Sequence, residues 1–593
     1  MQLHVSRSKN AESFYIIKGY RDRETGKATS KVVERLGARA ELEARLGAGT
    51  DIAAWGRARA RELTEAEQAS SRKVAVEYDP SRPLEAGARR VFNGGYLFLQ
   101  RIYHELGLDE ACRQVASARA FSYDLDAILS RLVYGRILSP ASKASTAGFA
   151  HTLIEPPAFE THQVYRALGA LAGGCDAIQA ALYKGSARLG KRATRALYYD
   201  CTNYYFEIEQ EDALRRYGPS KQHQPSPLVQ MGLFMDADGM PLAFCIDHGA
   251  KNEQLTMRPL EQRVIDDFGL SEFVVVTDAG LSSLANRRFN SEGRRHFITT
   301  QSVKCLKGHL RAWALEEGGW QAPGSDAVFD LAEVAARLDG GGLGDGERAQ
   351  VRDRVFYKSR RIKERDPVTK GYFEQTLVVT FSFKYRDYQR SVRQGQAERA
   401  AKAIAEGPSR LERKGRNDYR RLIKRTAVTG DGEVAECAAY AIDEAAIAKE
   451  ACYDGFYALA TSFDDDDVPG ILKASQRRWE IEECFRIMKT EFKARPVYLS
   501  RADRIEAHFL TCFIALAVYR VLEARLGGRF TVRQVIDTLK GMDFEEVKGE
   551  GYRPLYQRTE VTDALHDAFG FRTDFEIIPD RDMKRIIRLT KKR

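Results

Sequence analysis

Three acidic residues stand where a metal-dependent reaction could use them: Asp200, Asp278 and Glu482. Asp200 lies inside the β-prone run 194–208, Asp278 directly follows a short apolar strand pattern, and Glu482 lies in a helical pattern. Carboxylates that meet repel one another unless a cation joins them, and hard oxygen ligands suit Mg²⁺ or Mn²⁺. Two such ions about 3.5–4 Å apart can activate the attacking oxygen of a phosphodiester cleavage and stabilise the leaving oxygen. The triad therefore predicts two-metal phosphodiester chemistry.

Each acid also has a simpler interpretation. Asp200 could point to solvent on the polar face of its strand, and Asp278 could cap a turn. Glu482 could pair with Arg478 or Arg486 at helical spacing. The order of the elements and the position of the acids within them favour the joint interpretation.

The segment 477–492, RRWEIEECFRIMKTEF, is predicted to be one helix. At 100° per residue, Arg478, Glu482 and Lys489 fall within about 40° of one another. This charged row borders the apolar stripe instead of lying opposite to it, which indicates a site and not a solvated face. Arg478 would hold a phosphate through its bidentate fork, and Lys489 as a point charge.

The elements that must position these residues follow a recognisable order. From 194 to 290 the patterns predict strand, strand, strand, helix and strand, and a further strand near 455 precedes the helix with Glu482. We expect a multidomain α/β protein whose mixed core sheet is interrupted by a β-rich and basic insertion. The predicted segments are a β-hairpin with a helix (1–75), a helical domain (76–190), the first part of the core (191–299), the insertion (300–454), the second part of the core (455–527) and a basic helical C-terminal region (528–593).

Charge favours a nucleic acid as partner. The net charge is +10, and residues 351–426 alone hold 22 Lys and Arg against 9 Asp and Glu, a net charge of +13. Aromatic residues are interleaved among these bases, as phosphate contacts and base stacking would require. The alternative is a solvated helical surface with some tyrosines in its core. Helices within 88–175 could likewise read DNA or simply pack together.

The remaining composition excludes other classes of site. The nine cysteines form no CxxC pair and the histidines no ligand set, which argues against disulfides and zinc. The apolar run 509–519 falls short of the ~18–20 residues that span a bilayer, so we interpret it as a buried helix. Because the N-terminus has no apolar signal core, we expect a cytoplasmic protein.

The motifs resemble those of the DDE transposases and, within them, the IS-four superfamily of bacterial insertion sequences. That family carries two acids on the first and fourth strands of an RNase H-like core. The third acid lies in a Tyr-x2-Arg-x3-Glu-x6-Lys signature. At this spacing the chain has Ser475, Arg478, Glu482 and Lys489, so serine replaces the tyrosine.

The resemblance extends beyond the signature. The runs YYDCTNYYFE around Asp200 and TDAGLSSLANRRF around Asp278 also resemble the family, and the likeness spans roughly 90–525. The family too has a largely β insertion between its second and third acids. Its base-holding tryptophan has no counterpart that a motif assigns, so Trp320 is not given that role.

The resemblance implies a function. The three acids would be ligands of two Mg²⁺ or Mn²⁺ ions and would support hydrolysis at the transposon ends, followed by attack of the freed 3′-OH on target DNA. The family resolves its second strand through a DNA hairpin. Arg478 and Lys489 would grip phosphates, whereas Ser475 lacks the reach of the tyrosine that it replaces.

The implied partners are double-stranded DNA, as terminal inverted repeats and as target, and a second copy of the chain. We expect a dimer in the DNA complex, no membrane association, and a bacterial cytoplasmic protein on the nucleoid when bound. Two alternatives stay open: an RNase H-like nuclease without strand transfer, and an inactive transposase-derived DNA-binding protein. A phosphatase of small substrates would leave the basic block unexplained.

Overall fold

The computed structural model describes residues 1–592 apart from 9–10, 22–27, 48, 70–73, 75, 77–78, 82, 118–120, 222–223, 341–343, 408–410, 412–414, 416, 429–436 and 465–467. The chain forms two compact units, Met1–Ala88 and Arg89–Arg593. The finer division into six segments stays a prediction.

The first unit is a small antiparallel sheet followed by two helices. Its elements are β1 (Gln2–Ser8), β2 (Ala11–Arg21), β3 (Ala28–Ala38), α1 (Arg39–Leu46) and α2 (Ile52–Ala69). β2 pairs with both β1 and β3, and apolar residues of the sheet and helices enclose a core of their own. The sequence ETGK at 24–27, which is typical of the turn of the predicted β-hairpin, lies outside the described residues.

The second unit begins with a helical layer. Its elements are β4 (Val91–Asn93), α3 (Tyr96–Glu105), α4 (Leu108–Ser117), α5 (Leu125–Leu138), α6 (Lys143–Ala150), α7 (Thr161–Gly173) and α8 (Cys175–Leu189). Asp124 begins α5 by accepting hydrogen bonds from the backbone N–H groups of Asp126 and Ala127, at 2.9 and 3.1 Å. The unit is therefore mainly helical from Tyr96 to Leu189, as the sequence predicts.

The core sheet has the predicted order of elements. They are β5 (Ala196–Tyr205), β6 (Leu228–Asp236), β7 (Pro241–His248), α9 (Met257–Phe268), β8 (Val274–Thr277), α10 (Leu284–Phe289) and β9 (His296–Gln301). β5, β6 and β7 pair antiparallel, whereas β5, β8 and β9 pair parallel. Gly269, with a φ of 69°, ends α9 in the left-handed conformation that favours glycine.

The insertion continues the core sheet. Its elements are α11 (Gly308–Leu315), β10 (Trp320–Ala322), β11 (Ser325–Phe329), α12 (Leu331–Asp339), α13 (Asp345–Asp353), β12 (Val355–Arg365), β13 (Tyr372–Ser382), α14 (Phe383–Glu406), β14 (Ile423–Val428), β15 (Cys437–Ile442) and α15 (Glu444–Ala451). The next strand, β16 (Phe456–Thr461), pairs with β9 on one side and with β13 on the other. Within the described residues, ten strands thus form one sheet in the order β11-β10-β12-β13-β16-β9-β8-β5-β6-β7.

The C-terminal part packs between the core sheet and the helical layer. Its elements are α16 (Val468–Gln476), α17 (Trp479–Arg486), α18 (Ala502–Arg525), α19 (Val532–Gly541), β17 (Asp543–Val547), β18 (Gly551–Pro554), α20 (Glu560–Phe569) and α21 (Asp580–Thr590). The region 528–593, predicted as helical, contains three helices and also two short strands, because β17 pairs with β18 and with β4. Pairing with a strand more than 400 residues earlier leaves no local signal in the sequence.

Helix α18 is the buried centre of the second unit. It packs against α5, α7 and β7, and its side chains join those of β5 and α17 in one core. By length and composition it could cross a membrane, as no other described helix could, but 94% of its apolar stretch is buried inside the protein. The interpretation of 509–519 as a buried helix is confirmed.

Packing of α18 against β5 is expected to dominate stability. Phe509 of α18 is fully buried, with its ring 4.8 Å from that of Tyr204 on β5. We expect Phe509→Ala to lower the free energy of unfolding by about 3–5 kcal/mol, through lost burial and a cavity. The measurement is the shift in the urea unfolding midpoint.

The matched control is Val368→Ala, which trims an 85% exposed side chain. It should change stability by less than about 0.5 kcal/mol. Equal midpoints for the Phe509→Ala and Val368→Ala variants would contradict the placement of α18 at the centre of the core.

Candidate active site

Two of the predicted acids occupy matching positions on neighbouring parallel strands. The register of β5 against β8 pairs Tyr198 with Val276. Two residues further along each strand direction stands an aspartate: Asp200 on β5 and Asp278 just past the end of β8. The register of β8 against β9 extends this row to Thr300. Because parallel strands lie about 4.8 Å apart, the register alone brings the two carboxylates together.

Asp200 lies on the face of β5 that turns toward α16, α17 and α18. Alternate residues of a strand share a face, and its neighbours on that face contact this layer. Tyr198 donates a hydrogen bond to the carbonyl of Ala474 on α16, at 2.8 Å. The hydroxyl of Thr202 accepts a hydrogen bond from the amine of Lys489. The solvent-facing alternative for Asp200 is therefore wrong.

The environment of Asp200 disfavours a lone carboxylate. Burial raises the pKa of Asp200 to about 6; the positive charge of Lys221 opposes this rise, and the negative charge of Asp278 adds to it. A cation shared between the two aspartates would relieve both the desolvation and the repulsion.

Asp278 caps the turn that follows its strand. Its Oδ1 accepts a hydrogen bond from the backbone N–H of Leu281 at 3.1 Å, and its carbonyl accepts one from the hydroxyl of Thr299 at 3.0 Å. The simpler interpretation as a cap is thus confirmed. Among the described residues no group donates to Oδ2, which leaves one carboxylate oxygen available to a ligand.

Glu482 stands apart from the two aspartates. Its side chain is 66% exposed on α17 and pairs with Arg478, with 3.8 Å between the nearest nitrogen and oxygen. Arg478 also donates to the hydroxyl of Thr300 at 3.0 Å, so it links Glu482 to the end of the row. Of the two predicted partners, Arg478 is confirmed. Arg486 pairs with Glu483 instead.

The segment predicted as one helix, 477–492, is interrupted. α17 begins only after Arg478, and it is followed at once by a π-helical turn, Ile487–Glu491. The helix prediction is confirmed for Trp479–Arg486, but it misses the π-helical turn because hydrogen bonds of the i→i+5 type do not follow the 3.6-residue period. The turn places Lys489 against β5, where its amine lies 5.3 Å from the centre of the Tyr204 ring. π turns often occur at functional positions.

Ser475 lies on a different helix from the rest of the signature. It is half-buried near the end of α16, and its carbonyl accepts a hydrogen bond from the backbone N–H of Arg478 at 3.3 Å. The backbone therefore connects Ser475 to Arg478, while no described contact joins the serine hydroxyl to the aspartates.

Two cations of the site escaped the sequence analysis. Lys221, in the loop between β5 and β6, donates to the carbonyl of Cys201 and lies 3.4 Å from a carboxylate oxygen of Glu253. Arg495 lies six residues after Lys489. Burial, together with the charges of Arg495 and Lys221, lowers the pKa of Lys489 to about 8. Nothing in the composition of their loops marks either residue.

A cleft of about 480 Å³ opens beside the row of strands. Ala279 and Thr300 line it on the site's side. Tyr385, Tyr388 and Tyr453 of the insertion and Tyr457 of β16 also line it. The half-exposed rings of Tyr385 and Tyr388 on α14 stack with centres 6.4 Å apart and planes at 18°. Flat exposed rings beside a site suit stacking against bases.

In the folded protein, acids from outside residues 351–426 neutralise part of the positive charge of this basic block. Arg393 and Arg421, which line the cleft, pair with Asp454 and Glu450 respectively. Both acids lie outside residues 351–426, so a count over that block misses them. Trp320 is fully buried and donates to the carbonyl of Glu316 at 2.9 Å, which makes it a core residue.

The described residues contain one group of acidic and histidine ligand atoms that all lie within 4.8 Å of one another, and it lies elsewhere: Asp563, His566 and Asp574. Arg558 and Arg572 already pair with these carboxylates, each at 2.6 Å. The backbone N–H of Thr573 also donates to Nε2 of His566, at 3.2 Å. That group is an internally neutralised polar cluster. The three predicted acids, all of which are described, form no such group.

Comparison with known families identifies the family of the chain. A family model described as a transposase DDE domain matches residues 207–518, more than half of the chain. The chain belongs to the DDE transposase family. The matched residues include Asp278 and Glu482, whereas Asp200 lies seven residues before them on β5.

Other comparisons are more distant. The transposase resembles a cryo-EM structure of the piggyBac transposase synaptic complex with hairpin DNA, with 8% sequence identity and a TM-score of 0.36 over 82% of this chain and 86% of that chain. No curated protein matches the chain significantly in sequence.

DDE transposase domains generally use divalent metal ions, and part of this site fits such an ion. The donors are all oxygens, as Mg²⁺ and Mn²⁺ prefer. Asp200 and Asp278 stand opposite each other and repel, and Oδ2 of Asp278 is available. Glu482 is held by Arg478, so its side chain must turn from that pairing to join them.

Removing one aspartate should reveal the metal site. We expect Asp200→Asn to raise the metal-free stability of the transposase by about 0.5–2 kcal/mol, because it removes a desolvated charge next to Asp278. The same change should abolish the rise in Tm that Mn²⁺ produces in the wild type. Differential scanning fluorimetry with and without Mn²⁺ measures both effects.

The control for this prediction is Asp238→Asn, at an exposed carboxylate in the turn between β6 and β7. This variant should keep the Mn²⁺-dependent rise and the wild-type stability within about 0.5 kcal/mol. An undiminished rise in the Asp200→Asn variant would place the metal elsewhere.

Proposed function

We propose that the chain cuts DNA at the ends of a bacterial insertion sequence of the IS-four type and joins the freed 3′-OH to target DNA. The observation that carries this proposal is the row Asp200, Asp278 and Thr300 across three parallel strands, with Arg478 bound at its end. An acid pair beside an arginine, in a chain of the DDE transposase family, suits a phosphodiester substrate.

Asp200, Asp278 and Glu482 would hold two Mg²⁺ or Mn²⁺ ions, which when bound would polarise the phosphodiester and lower the pKa of the attacking water or hydroxyl. The carboxylates supply the negative charge that retains the ions. The half-buried position of Asp200 excludes much of the surrounding water, which strengthens electrostatic interactions at the site.

Arg478 and Lys489 would bind the phosphates on either side of the acids. Arg478 reaches the β9 end of the row and Lys489 the β5 side, so the two cations flank the aspartates. Ser475, on α16, would contribute at most a hydroxyl contact to the DNA. The tyrosine-lined cleft beside Thr300 would receive the DNA end through stacking.

Cleavage by the acids is tested with Glu482→Gln. We expect metal-dependent nicking of a labelled duplex that carries the sequences flanking the gene, and a loss of about 10²–10³-fold in rate in this variant, since a metal ligand is worth several kcal/mol of transition-state stabilisation. DNA binding should persist. Rates in Mg²⁺, Mn²⁺ and EDTA provide the measurement.

The matched control is Glu483→Gln, the next residue of α17, whose carboxylate pairs with Arg486. It should nick at close to the wild-type rate. Nicking without joined products would favour a nuclease without strand transfer, and binding without nicking a transposase-derived DNA-binding protein. The exposed, arginine-paired Glu482 is the feature that favours the second alternative.

Two transposon ends must be cut together, so we propose that a dimer acts on them. Light scattering of the protein mixed with paired-end DNA should give the mass of two chains with two duplexes. A single chain that binds both ends would contradict this assembly. A protein that cuts bacterial DNA in this way would work in the cytoplasm, on the nucleoid.

A further inference from the structure

A second basic site lies where the helical layer meets the loop after the π-helical turn. It is a cavity of about 220 Å³ between the start of α6 and the loop that joins the π-helical turn to α18. Four cationic residues line it: Arg136, Lys143, Lys493 and Arg495. Among the described residues that line the cavity there is no Asp or Glu.

Lys143 is the least expected of these residues. It is only 4% exposed, and its amine has no hydrogen-bond partner among the described residues. Burial, together with the charge of Arg136, lowers the pKa of Lys143 to about 7. A buried amine without a partner is costly, and an anion in the cavity would remove that cost.

Within the part of the chain that the structure describes, no acid pairs with the other cations. Arg136 donates there only to backbone carbonyls, including those of Phe492 at 3.1 Å and Ala141 at 3.2 Å. One terminal nitrogen of Arg495 is buried without a hydrogen-bond partner among the same residues. Three separate chain segments thus direct uncompensated positive charge toward one cavity.

The size and rim of the cavity indicate what would fill it. Its volume is roughly seven times the ~30 Å³ that one water occupies in the liquid, which is more than a phosphate group needs. Tyr498 at its rim is 71% exposed and offers a ring to an adjacent base or sugar. Arg495 is close enough to lower the pKa of Lys489, so the cavity neighbours the candidate active site.

We propose that this cavity binds a backbone phosphate of the DNA strand that runs past the active site, with Lys143 as its innermost contact and Tyr498 against the next nucleotide. The proposal rests on the proposed function, because DNA is the phosphate-bearing substrate that reaches this surface. Arg136 and Arg495 supply charge at the wall, and Lys493 supplies it at the mouth.

The backbone of Lys493 allows a favourable test variant. Its φ of 44° is in the left-handed region that favours glycine. Lys493→Gly therefore removes a cation from the mouth of the cavity and relieves backbone strain at the same time. Lys143→Met removes the inner charge while keeping a long, unbranched side chain.

The experiment measures affinity for a fluorescent duplex carrying the gene's flanking sequences, by anisotropy over a range of salt concentrations. We expect Lys143→Met to weaken binding about tenfold, since a hydrogen bond to a charged group is lost. The slope of log Kd against log salt should fall by about 0.9, the value for one lost phosphate contact. Lys493→Gly should lower the slope in the same direction.

The matched control is Lys184→Met, at an exposed position of α8 that does not line the cavity. It should keep the wild-type affinity and slope. Melting curves of the DNA-free proteins are recorded in parallel, and we expect Lys143→Met to melt at or above the wild-type Tm.

The outcomes separate this proposal from the proposed function. Wild-type affinity and slope in both cavity variants, with nicking intact, would overturn the phosphate site and leave the transposase function standing. A wild type that binds no DNA would overturn both. Stabilisation of the wild type, but not of the Lys143→Met variant, by inorganic phosphate in a protein that binds no DNA would assign the cavity to a free phosphate instead.

Discussion

Parallel pairing of β5 with β8 and of β8 with β9 is the constraint on which the site depends. A slip of one residue in β5 would turn Asp200 from the α17 side of the sheet to the α9 side and separate it from Asp278. Neighbouring strands hold the register on both sides within the sheet. The wholly buried strand β6 lies beside β5, and a hydrogen bond between Thr277 and Thr299 joins β8 to β9. The core thus keeps two repelling carboxylates together at a cost that the rest of the fold must offset.

The elements of the core sheet could be predicted from the sequence because each leaves a local pattern in it. Apolar runs marked β6 and β8, Gly269 marked the end of α9, and an acid at the end of a buried strand marked Asp278. The same reasoning missed the π-helical turn within 477–492, where side-chain burial determines the backbone conformation. Met488 and Phe492 are fully buried, and the N–H of Phe492 donates to the carbonyl of Ile487, five residues back, at 3.0 Å. A sequence pattern with a period of 3.6 residues predicts hydrogen bonds four residues apart and gives no sign of one that spans five.

Electrostatics were the least predictable from sequence because charges are neutralised across space. The most basic stretch of the chain contains Arg393 and Arg421, whose acidic partners follow it in sequence. Conversely, the uncompensated cations of the α6 cavity come from segments some 350 residues apart, none of them in the basic block. Local charge density therefore predicts a type of partner but not the surfaces that would contact it.

β16 has a consequence for how this domain could be shortened. It returns from the insertion to lie between β9 and β13, hydrogen-bonded to both. A variant with residues 302–454 deleted would retain all three acids, but it would lack β13. One edge of β16 would then have no hydrogen-bond partners. Unpaired N–H and C=O groups along such an edge are a template for association with other chains. A soluble minimal version would have to keep β13, or replace it, so the insertion is also a structural cover for the catalytic sheet.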